Sequence, residues 1–241
     1  MPGKLSQKSK KAVVLLSGGL DSSTALYWAQ SQGYDCRGLS IDYGQRHRRE
    51  LLSAQALAQK ANIEINQIRL DLPWLQVSSL ANKKKKLPNL PLSQIGRGPI
   101  PSTYVPGRNT VFLSLGLSLA DAIGAKAIVI GANALDYSGY PDCRPNYLNA
   151  FERVAWLGSK SGLSGGKIKI LSPLLRLDKS QIVRLALKLK VPLDLTWSCY
   201  AGKKFPCGKC DSCKLRAKGF ALAKATDPAI KPKGSIHVYQ P

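Results

Sequence analysis

The sequence predicts an α/β fold: a Rossmann-like parallel sheet with helices on both faces, followed by a small C-terminal four-cysteine knuckle. Short apolar runs alternate along the chain with segments in which apolar residues recur every three or four positions. That alternation is the order of βα units, whose strands lie parallel. Four of the six cysteines fall between positions 199 and 213, a clustering typical of a metal site rather than of disulfides in a reducing compartment.

The composition is that of an ordinary globular chain. It has 241 residues, of which 44% are hydrophobic and 21% charged, enough to bury one substantial core. No run approaches the roughly 18–20 apolar residues that span a membrane. The N-terminus is basic and short, and residues 12–16 form only a brief apolar run, so we expect no signal peptide and a cytoplasmic location.

The elements are expected to form a single α/β domain over residues 1–241. Within it we assign a nucleotide-binding core at 12–195, a zinc-binding segment at 196–216 and a tail at 226–241. Apolar runs predict strands at 12–16, 36–42, 63–70, 126–132 and 168–171. Helical periodicity and terminal signals predict helices at 21–32, 46–61, 110–123, 146–157, 178–190 and 211–225.

Residues 73–106 interrupt this alternation. They carry a run of four lysines, several prolines and little periodicity, so we expect a long loop. Loops of this length without regular structure are usually functional or disordered. We expect this one to be mobile without a ligand, and we expect its part from about residue 82 to residue 106 to act as a lid that excludes water from the site.

The first strand is followed by the string Ser-Gly-Gly-Leu-Asp-Ser-Ser at positions 17–23. Gly18 and Gly19 allow a tight turn and a close approach of the backbone to an anion. The free N–H groups and the dipole at the start of the next helix favour a phosphate there. A carboxylate, Asp21, beside phosphates is best explained by a bound magnesium ion.

This string resembles the signature of the PP-loop ATP pyrophosphatases. It has neither the lysine of the common nucleoside-triphosphate loop nor the glycine spacing of the dinucleotide fingerprint. The resemblance implies an adenine nucleotide α-hydrolase-like fold and cleavage of ATP between its α- and β-phosphates. We expect ATP to contact the end of the strand, the turn and the start of the helix: Leu16, Ser17, Gly18, Gly19, Leu20, Asp21, Ser22, Ser23, Thr24, Ala25 and Leu26.

Two cations are candidates for the same pyrophosphate. Arg108 lies in Pro-Gly-Arg-Asn, where a helix is predicted to follow the long loop, and a guanidinium binds phosphate through two N–H groups. Lys179 begins a later predicted helix, and for it a solvated surface position is an equal alternative. With Asp21, these two are the candidate catalytic residues.

The richest polar stretch is the segment from 133 to 145, after the fourth strand. It combines carboxylates, tyrosines and an arginine in a loop rich in glycine and proline. Tyrosine rings can stack on a flat heterocycle, and carboxylates accept from ring N–H and amino groups. The candidate substrate-binding residues are Asp136, Tyr137, Tyr140, Asp142 and Arg144, while Cys143 lacks an assigned base and is interpreted as an inert buried cysteine.

Cys199, Cys207, Cys210 and Cys213 offer four thiolates at spacings of seven, two and two intervening residues. An iron–sulfur cluster is one interpretation, and tetrahedral zinc is favoured. A closed four-cysteine site is structural rather than catalytic. It would hold residues 196–206 near the substrate end of the sheet.

The formal net charge of +22 raises the question of nucleic acid. The basic residues are spread along the chain except at 83–86, and no aromatic residues interleave with that run as a single-strand platform would require. Attraction for polyanions such as ATP is the simpler explanation, although nucleic acid is not excluded.

Taken together, the motifs resemble those of the 7-cyano-7-deazaguanine synthases, over about residues 13–220. The matching strings are LSGGLDSSTAL at 16–26, DYGQRHR at 42–48, TYVPGRN at 103–109, NALDYSGYPDCRP at 133–145, and WSCY with PCGKCDSC between 197 and 213. The resemblance implies a carbon–nitrogen ligase that converts 7-carboxy-7-deazaguanine and ammonia into the nitrile through an adenylated carboxylate and an adenylated amide. It implies ATP, Mg²⁺ and Zn²⁺ as cofactors, with the four cysteines as zinc ligands and AMP and pyrophosphate as products.

Two alternatives stay open at this point. A tRNA-thiolating enzyme of the same ATP chemistry would suit the positive charge, but it would want a catalytic cysteine pair, for which Cys36 and Cys143 give no signature. A zinc-dependent nucleic-acid-binding module on an inactive ATP fold is opposed by the intact Asp21 and Ser22. Expected partners are a small deazapurine and ammonia, with no membrane, and a homodimer is left open.

Overall fold

The computed structural model describes residues 9–229 and contains a five-stranded parallel sheet. The strands are β1 (Lys10–Leu15), β2 (Tyr34–Asp42), β3 (Ile65–Arg69), β4 (Ala127–Val129) and β5 (Lys169–Leu171). Their order across the sheet is β3-β2-β1-β4-β5, and every pair is parallel. After β1 the chain adds β2 and β3 on one side of that strand, and it then adds β4 and β5 on the other side. The direction in which strands are added therefore reverses between β1 and β4.

Eight helices connect and cover the described strands. They are α1 (Leu20–Ser31), α2 (Arg49–Lys60), α3 (Arg108–Ile123), α4 (Ala134–Gly139), α5 (Pro145–Leu157), α6 (Lys160–Leu163), α7 (Lys179–Lys188) and α8 (Asp211–Leu222). Short 3-10 helices lie at Pro73–Val77, Pro141–Cys143 and Leu193–Leu195. None of the helices within residues 9–229 is both long and apolar enough to cross a bilayer.

The sheet separates two apolar layers because successive side chains of a strand point to opposite faces. Val14 of β1 packs in the layer that α1, α2, α7 and α8 cover, while Val13 packs in the layer covered by α3 and α5. Both valines are fully buried. The predicted α/β class with helices on both faces of a parallel sheet is therefore confirmed.

The predicted strands and long helices agree with the structure within a few residues, and the differences have local causes. The short helices α4 and α6 lie in segments rich in glycine, proline and serine, where sequence periodicity is too brief to predict a helix. Helix α2 begins at Arg49 rather than at residue 46, because Gln45 and its neighbours form the turn after β2.

The long segment 73–106 is less irregular than expected. It contains the 3-10 helix Pro73–Val77, and it buries Leu75, Leu80 and Val105 against the α3 and α5 side of the sheet. Residues 91–100 are mostly exposed. The tail predicted at 226–241 lies outside the described residues from position 230 onward.

Candidate active site

A cavity of about 1040 Å³ opens at the carboxyl ends of the strands. In open α/β sheets this is where ligands bind, at the point where the strand order reverses. The cavity is lined after β1 by Ser17 and the run from Gly19 to Ser22, after β2 by Tyr43, His47 and Glu50, and after β4 by the run from Gly131 to Asn133 and by Asp136. Residues that follow three separate strands therefore share one cavity.

The turn after β1 is held in place by two close backbone approaches. Gly18 has a φ of +83°, and a β-carbon there would overlap the carbonyl oxygen of Glu50 on α2. Gly131, at the end of β4, lies so close to Ser22 that a β-carbon would be 2.8 Å from its backbone nitrogen. Glycine is required at Gly18 both by the left-handed backbone and by the space available.

Hydroxyl groups complete the turn. The Ser17 and Ser22 hydroxyl oxygens are 3.0 Å apart, and the Ser17 backbone N–H donates to the Ser22 hydroxyl at 3.2 Å. Ser23 and Thr24 instead donate to carbonyl oxygens of the preceding turn, at 2.7 Å each, and are buried. Of the expected ATP contacts, the cavity is lined by Ser17, Gly19, Leu20, Asp21 and Ser22. The others are buried and do not line it: Leu16, Gly18, Ser23, Thr24, Ala25 and Leu26.

Asp21 and Lys179 meet in the cavity although 158 positions separate them. The Lys179 ammonium donates to both carboxylate oxygens of Asp21, at 2.7 and 2.9 Å, and the Asn133 side-chain amide donates to one of them at 3.0 Å. Lys179 lies at the first position of α7, directly after the capping residue Asp178. The surface alternative for Lys179 is therefore wrong: its side chain is only 20% exposed and lines the cavity.

Asp136 is the second carboxylate in the part of the cavity that contains Asp21 and Lys179. Its carboxylate accepts a hydrogen bond from the Asn133 backbone N–H at 3.2 Å. Burial raises the pKa of Asp136 to about 6, although the nearby Lys179 limits the rise and Asp21 adds to it. A carboxyl group with such a pKa exchanges its proton close to neutral pH.

Arg108 is the first residue of α3, and it lines the cavity. Its guanidinium lies over the ring of Phe112, 5.9 Å from the centroid, and donates to the Asn109 side-chain oxygen at 3.3 Å. Burial raises the pKa of the neighbouring Tyr43 to about 12, so this phenol stays protonated beside the arginine. Arg108 thus supplies a permanent positive charge to the cavity.

Some side chains of the segment after β4 line the cavity, and others lie outside it. Asp136 and Tyr140 line the cavity, and the Tyr140 hydroxyl is 3.0 Å from the Thr103 hydroxyl. Asp142 instead accepts from the backbone N–H of Asn109 at 2.9 Å, which satisfies the first turn of α3. Arg144 is exposed and does not line the cavity, and the side chain of Tyr137 lies outside the described part of the chain.

Cys143 also lines the cavity, and it accepts a hydrogen bond from the Asn109 side chain at 2.9 Å. Burial raises the pKa of its thiol to about 12. Since the thiolate is the nucleophile, this supports the interpretation of Cys143 as inert.

Sequence reasoning missed a polar group on the β2 side of the cavity. The His47 Nε2 atom is 3.1 Å from the Glu50 carboxylate, whose other oxygen accepts from the Gln45 side chain at 3.0 Å. Gln45 is 2% exposed, and the Nδ1 atom of His47 has no hydrogen-bond partner within residues 9–229. The string at 42–48 contains Gln45 and His47 but not Glu50, and an i, i+3 histidine–glutamate pair at a helix start is too common a pattern to indicate a site.

The segment around the first cysteine does more than support the fold, because it also lines the cavity. The Trp197 backbone N–H donates to the Gly18 carbonyl oxygen at 2.9 Å, which connects the cysteine segment to the turn after β1. Trp197 and Tyr200 both line the cavity, and the Tyr200 ring packs 5.8 Å from that of His47. Neither aromatic residue could be placed by sequence pattern alone.

The four cysteines converge as the sequence predicts. Their sulfur atoms all lie within 4.8 Å of one another. In a tetrahedral zinc–thiolate site, Zn–S bonds of about 2.3 Å put the sulfurs about 3.8 Å apart, so a small contraction would close the site. The Cys199 sulfur accepts from the backbone N–H groups of Ala201 and Cys207, and hydrogen bonds from the Cys210 and Cys213 thiols hold the pKa of Cys199 well below its usual value.

Comparison with known proteins agrees with this geometry. A protein family described as "Queuosine biosynthesis protein QueC" matches residues 11–224. The chain belongs to the QueC family. A relative from Nostoc punctiforme named 7-cyano-7-deazaguanine synthase is 51% identical over 91% of this chain and 99% of its own length. Relatives of the same name from Prochlorococcus marinus and Thermoplasma volcanium are 53% and 49% identical, over 87% and 91% of this chain and 92% and 90% of their own lengths.

Solved structures extend the likeness at the level of the fold. The NMN synthetase of Francisella tularensis superposes with a TM-score of 0.50 at 19% identity, covering 92% of this chain and 81% of that one. At that identity the likeness concerns the fold alone. The assignment of this chain to the QueC family rests on the relatives that are about 50% identical.

Proposed function

We propose that this chain is a 7-cyano-7-deazaguanine synthase, which converts 7-carboxy-7-deazaguanine and ammonia to the nitrile while it cleaves ATP to AMP and pyrophosphate. The single observation that carries the proposal is the cavity at the strand-order reversal, where the signature turn after β1 meets Asp21, Lys179 and Arg108. The names of relatives at 49–53% identity support it.

The reaction comprises two activations at one site. A carboxylate oxygen of the substrate attacks the α-phosphorus of ATP, and pyrophosphate leaves. Ammonia then attacks the activated carbon, AMP leaves, and an amide and a proton are formed. In the second round the amide oxygen attacks the α-phosphorus of a second ATP, and pyrophosphate leaves. Loss of AMP and two protons from the adenylated amide then leaves the carbon–nitrogen triple bond.

The residues of the cavity suit the charges that develop in these steps. Ser17, Ser22 and the first N–H groups of α1 face the position of a departing pyrophosphate. Lys179 and Arg108 add fixed positive charge, which is worth most in a site shielded from water. The chemistry requires no covalent protein nucleophile, and this agrees with the high pKa of Cys143.

The nitrile steps release protons and therefore require an acceptor. Asp136 lines the cavity, and its pKa of about 6 lets it take up and release a proton near neutral pH. We assign Asp136 this role, together with contacts to the deazapurine, while Tyr140 offers a ring for stacking.

Magnesium and zinc enter the proposal in different ways. Asp21 would hold a magnesium ion that neutralises the phosphates; its oxygens now face Lys179 and Asn133, so the ion would adjoin or replace those contacts. Zinc fits the four cysteines, and it would be structural because all its ligands come from the protein.

The thiolation alternative loses its main requirement. Cys143 lines the active-site cavity, whereas Cys36 lines a different, smaller pocket together with Lys11 and Glu64, near the start of β2. The two sulfurs therefore do not form a catalytic pair.

A single incubation tests the proposal. The protein is mixed with ATP, ammonium and 7-carboxy-7-deazaguanine, and the products are followed by mass spectrometry. We expect AMP, pyrophosphate and the nitrile, with the amide as a transient species. ADP as the main nucleotide, or AMP that forms equally with an unrelated carboxylate, would contradict the proposed function.

A further inference from the structure

We call residues 91–101 the cover segment. Its residues from Ser93 to Pro101 line the cavity, and most of the segment is exposed to solvent. Within the segment the backbone makes only local turns, such as the hydrogen bond from Arg97 to Gln94. Gly96 and Gly98 have φ values of +80° and +94°, so the segment contains two points at which the backbone takes a left-handed turn.

The cover segment is fixed at both ends. At its C-terminal end, the Ser102 carbonyl oxygen accepts from the Ser79 backbone N–H at 2.8 Å. At its N-terminal end, both backbone groups of Leu90 are bound by α8: the N–H donates to the Asp211 carboxylate at 2.9 Å, and the carbonyl oxygen accepts from the Lys214 ammonium at 2.7 Å. One residue is thus held by two side chains that lie three positions apart on a helix, hence on one face.

That helix is the one that carries the metal site. Cys210 is the N-cap of α8, Asp211 is its first residue, and Cys213 precedes Lys214. The Lys214 backbone N–H donates to the Cys210 carbonyl oxygen at 3.1 Å, closing the first turn. The side chains that hold Leu90 therefore stand on the single turn of helix that two cysteine ligands would order.

Helix α8 also contacts Lys179 of the candidate active site. Gly219 packs so closely against Lys179 that a β-carbon would meet its backbone and side chain. Arg216, 6% exposed, binds Asp227 through two nitrogen atoms and the Thr196 hydroxyl at 2.8 Å, which joins α8 to the segment before the cysteines. Helix α8 thus contacts the lysine of the site at one end and the cover segment at the other.

We propose that Asp211 and Lys214 are positioning residues that clamp the cover segment to the metal-bearing turn of α8, so that metal binding keeps the cavity closed. The clamp has no part in the chemistry of the substrate. Its consequence for catalysis rests on the proposed function: an open cavity would admit water to the activated intermediate and release AMP without nitrile. The four-cysteine site would thereby control the coupling of ATP cleavage to product.

Trypsin cleavage after Arg97 measures the clamp without any substrate. Arg97 is exposed, and Gly98 follows it. We expect Asp211→Ala and Lys214→Met to be cleaved there at least fivefold faster than the parent, and removal of the metal from the parent by a chelator to do the same. Because the metal acts through the clamp, removing the metal from the Lys214→Met variant should raise its cleavage rate by less than a further twofold.

Matched controls separate the clamp from general loosening. Lys218→Met removes an exposed lysine one turn further along α8, and Asp121→Asn changes an aspartate that binds the backbone of Lys160 away from the cavity. Neither should alter cleavage at Arg97. Metal content and the melting temperature of each variant show whether the chain is folded and loaded.

The outcomes are distinct. Unchanged cleavage in a folded, metal-loaded Lys214→Met variant would overturn the clamp, as would equal acceleration by the chelator in parent and variant. In turnover, the variants should release severalfold more AMP per nitrile than the parent, while Lys218→Met should not. If the parent makes no nitrile at all, the proposed function fails, but the proteolysis result still decides the clamp.

Discussion

At the scale of single residues, the function of a side chain here depends on its partners. Asp21 and Asp142 are both carboxylates of signature motifs, yet Asp21 meets a lysine in the cavity while Asp142 binds the backbone at the start of α3. Arg108 and Arg144 differ in the same way, since one lines the cavity and the other is exposed. The sequence identifies all four as candidate site residues, and the structure divides them between the cavity and the surrounding scaffold.

Asp21→Asn should abolish most ATP cleavage while leaving the fold intact. The substitution removes the charge that would hold magnesium and that pairs with Lys179, but it keeps the side-chain shape. We expect kcat/KM for pyrophosphate release to fall by about 100- to 1000-fold, with an unchanged far-UV spectrum. Asp194→Asn, at an exposed position outside the cavity, is the control and should retain full activity. A folded Asp21→Asn enzyme with activity within twofold of the parent would contradict this role.

Asp136→Asn should lower activity and raise stability, and the gain in stability should depend on pH. Burial raises the pKa of Asp136 to about 6 in the folded chain, so ionising it costs folding free energy. That cost is absent below its ordinary pKa of about 4 and is complete above about pH 6. Urea unfolding should therefore show the variant more stable than the parent by about 1–3 kcal/mol at pH 8, and by much less at pH 4, while nitrile formation falls. Equal stabilisation at both pH values would argue against a buried carboxylate.

At the scale of elements, turns and helix starts position the site. The turn after β1 fits between α2 and the end of β4 only because Gly18 and Gly131 have no side chains. Helix α7 begins at a capping box in which Asp178 and Gln181 bind each other's backbone, and this fixes Lys179 at the first position of α7. Helix α8 begins at a cysteine, so metal binding and helix formation share one turn.

Gly18→Ala should abolish ATP binding. A β-carbon at Gly18 would overlap the Glu50 carbonyl oxygen, and the backbone is left-handed, so the turn must shift. Gly33→Ala is the matched control: its φ is +79°, but nothing lies within 4 Å of the added carbon. The control should lose about 1 kcal/mol of stability and keep its affinity for ATP by calorimetry. Equal affinities in the two variants would show that the close approach is unimportant.

Elemental analysis should find one zinc per chain. Cys210→Ser combined with Cys213→Ser should lose the metal and lower the melting temperature, because the free energy of metal binding is coupled to local folding. Hydrogen exchange should show the loss of protection centred on α8. Cys36→Ala, far from the cluster, should keep its zinc. Stoichiometric iron in the purified protein would support the iron–sulfur interpretation instead.

At the scale of the whole molecule, the net charge of +22 suits the anionic nucleotide of the proposed reaction. Such a field raises the local concentration of ATP and its rate of association, and it weakens with salt. The lysines at 83–86 belong to this field, but they are not equivalent. Lys85 donates to the Val77 carbonyl oxygen at 2.7 Å, and its own carbonyl oxygen binds Arg46, so it also holds the segment that leads to the cover.

Replacing Lys83, Lys84 and Lys86 together with serine should leave nitrile formation from the free base within about twofold of the parent at physiological salt, since exposed charges are strongly screened there. Lys85 is retained because of its backbone contacts. The measurement is kcat/KM for ATP at 50 and 200 mM salt, alongside tRNA binding by filter retention. Loss of both tRNA binding and activity would favour the nucleic-acid alternative.

The sequence by itself determined the class of fold, the glycine-containing turn after β1 and the four-cysteine cluster. Each is encoded locally: apolar runs fix strands, glycines fix a turn, and close spacing brings cysteine sulfurs together. Only the tertiary structure decided that Lys179 meets Asp21, that Trp197 binds the Gly18 turn, and that α8 holds Leu90. These contacts join positions about 120 to 180 apart. They exist because parallel strands bring their following turns to one edge of the sheet, a relation that no local pattern records.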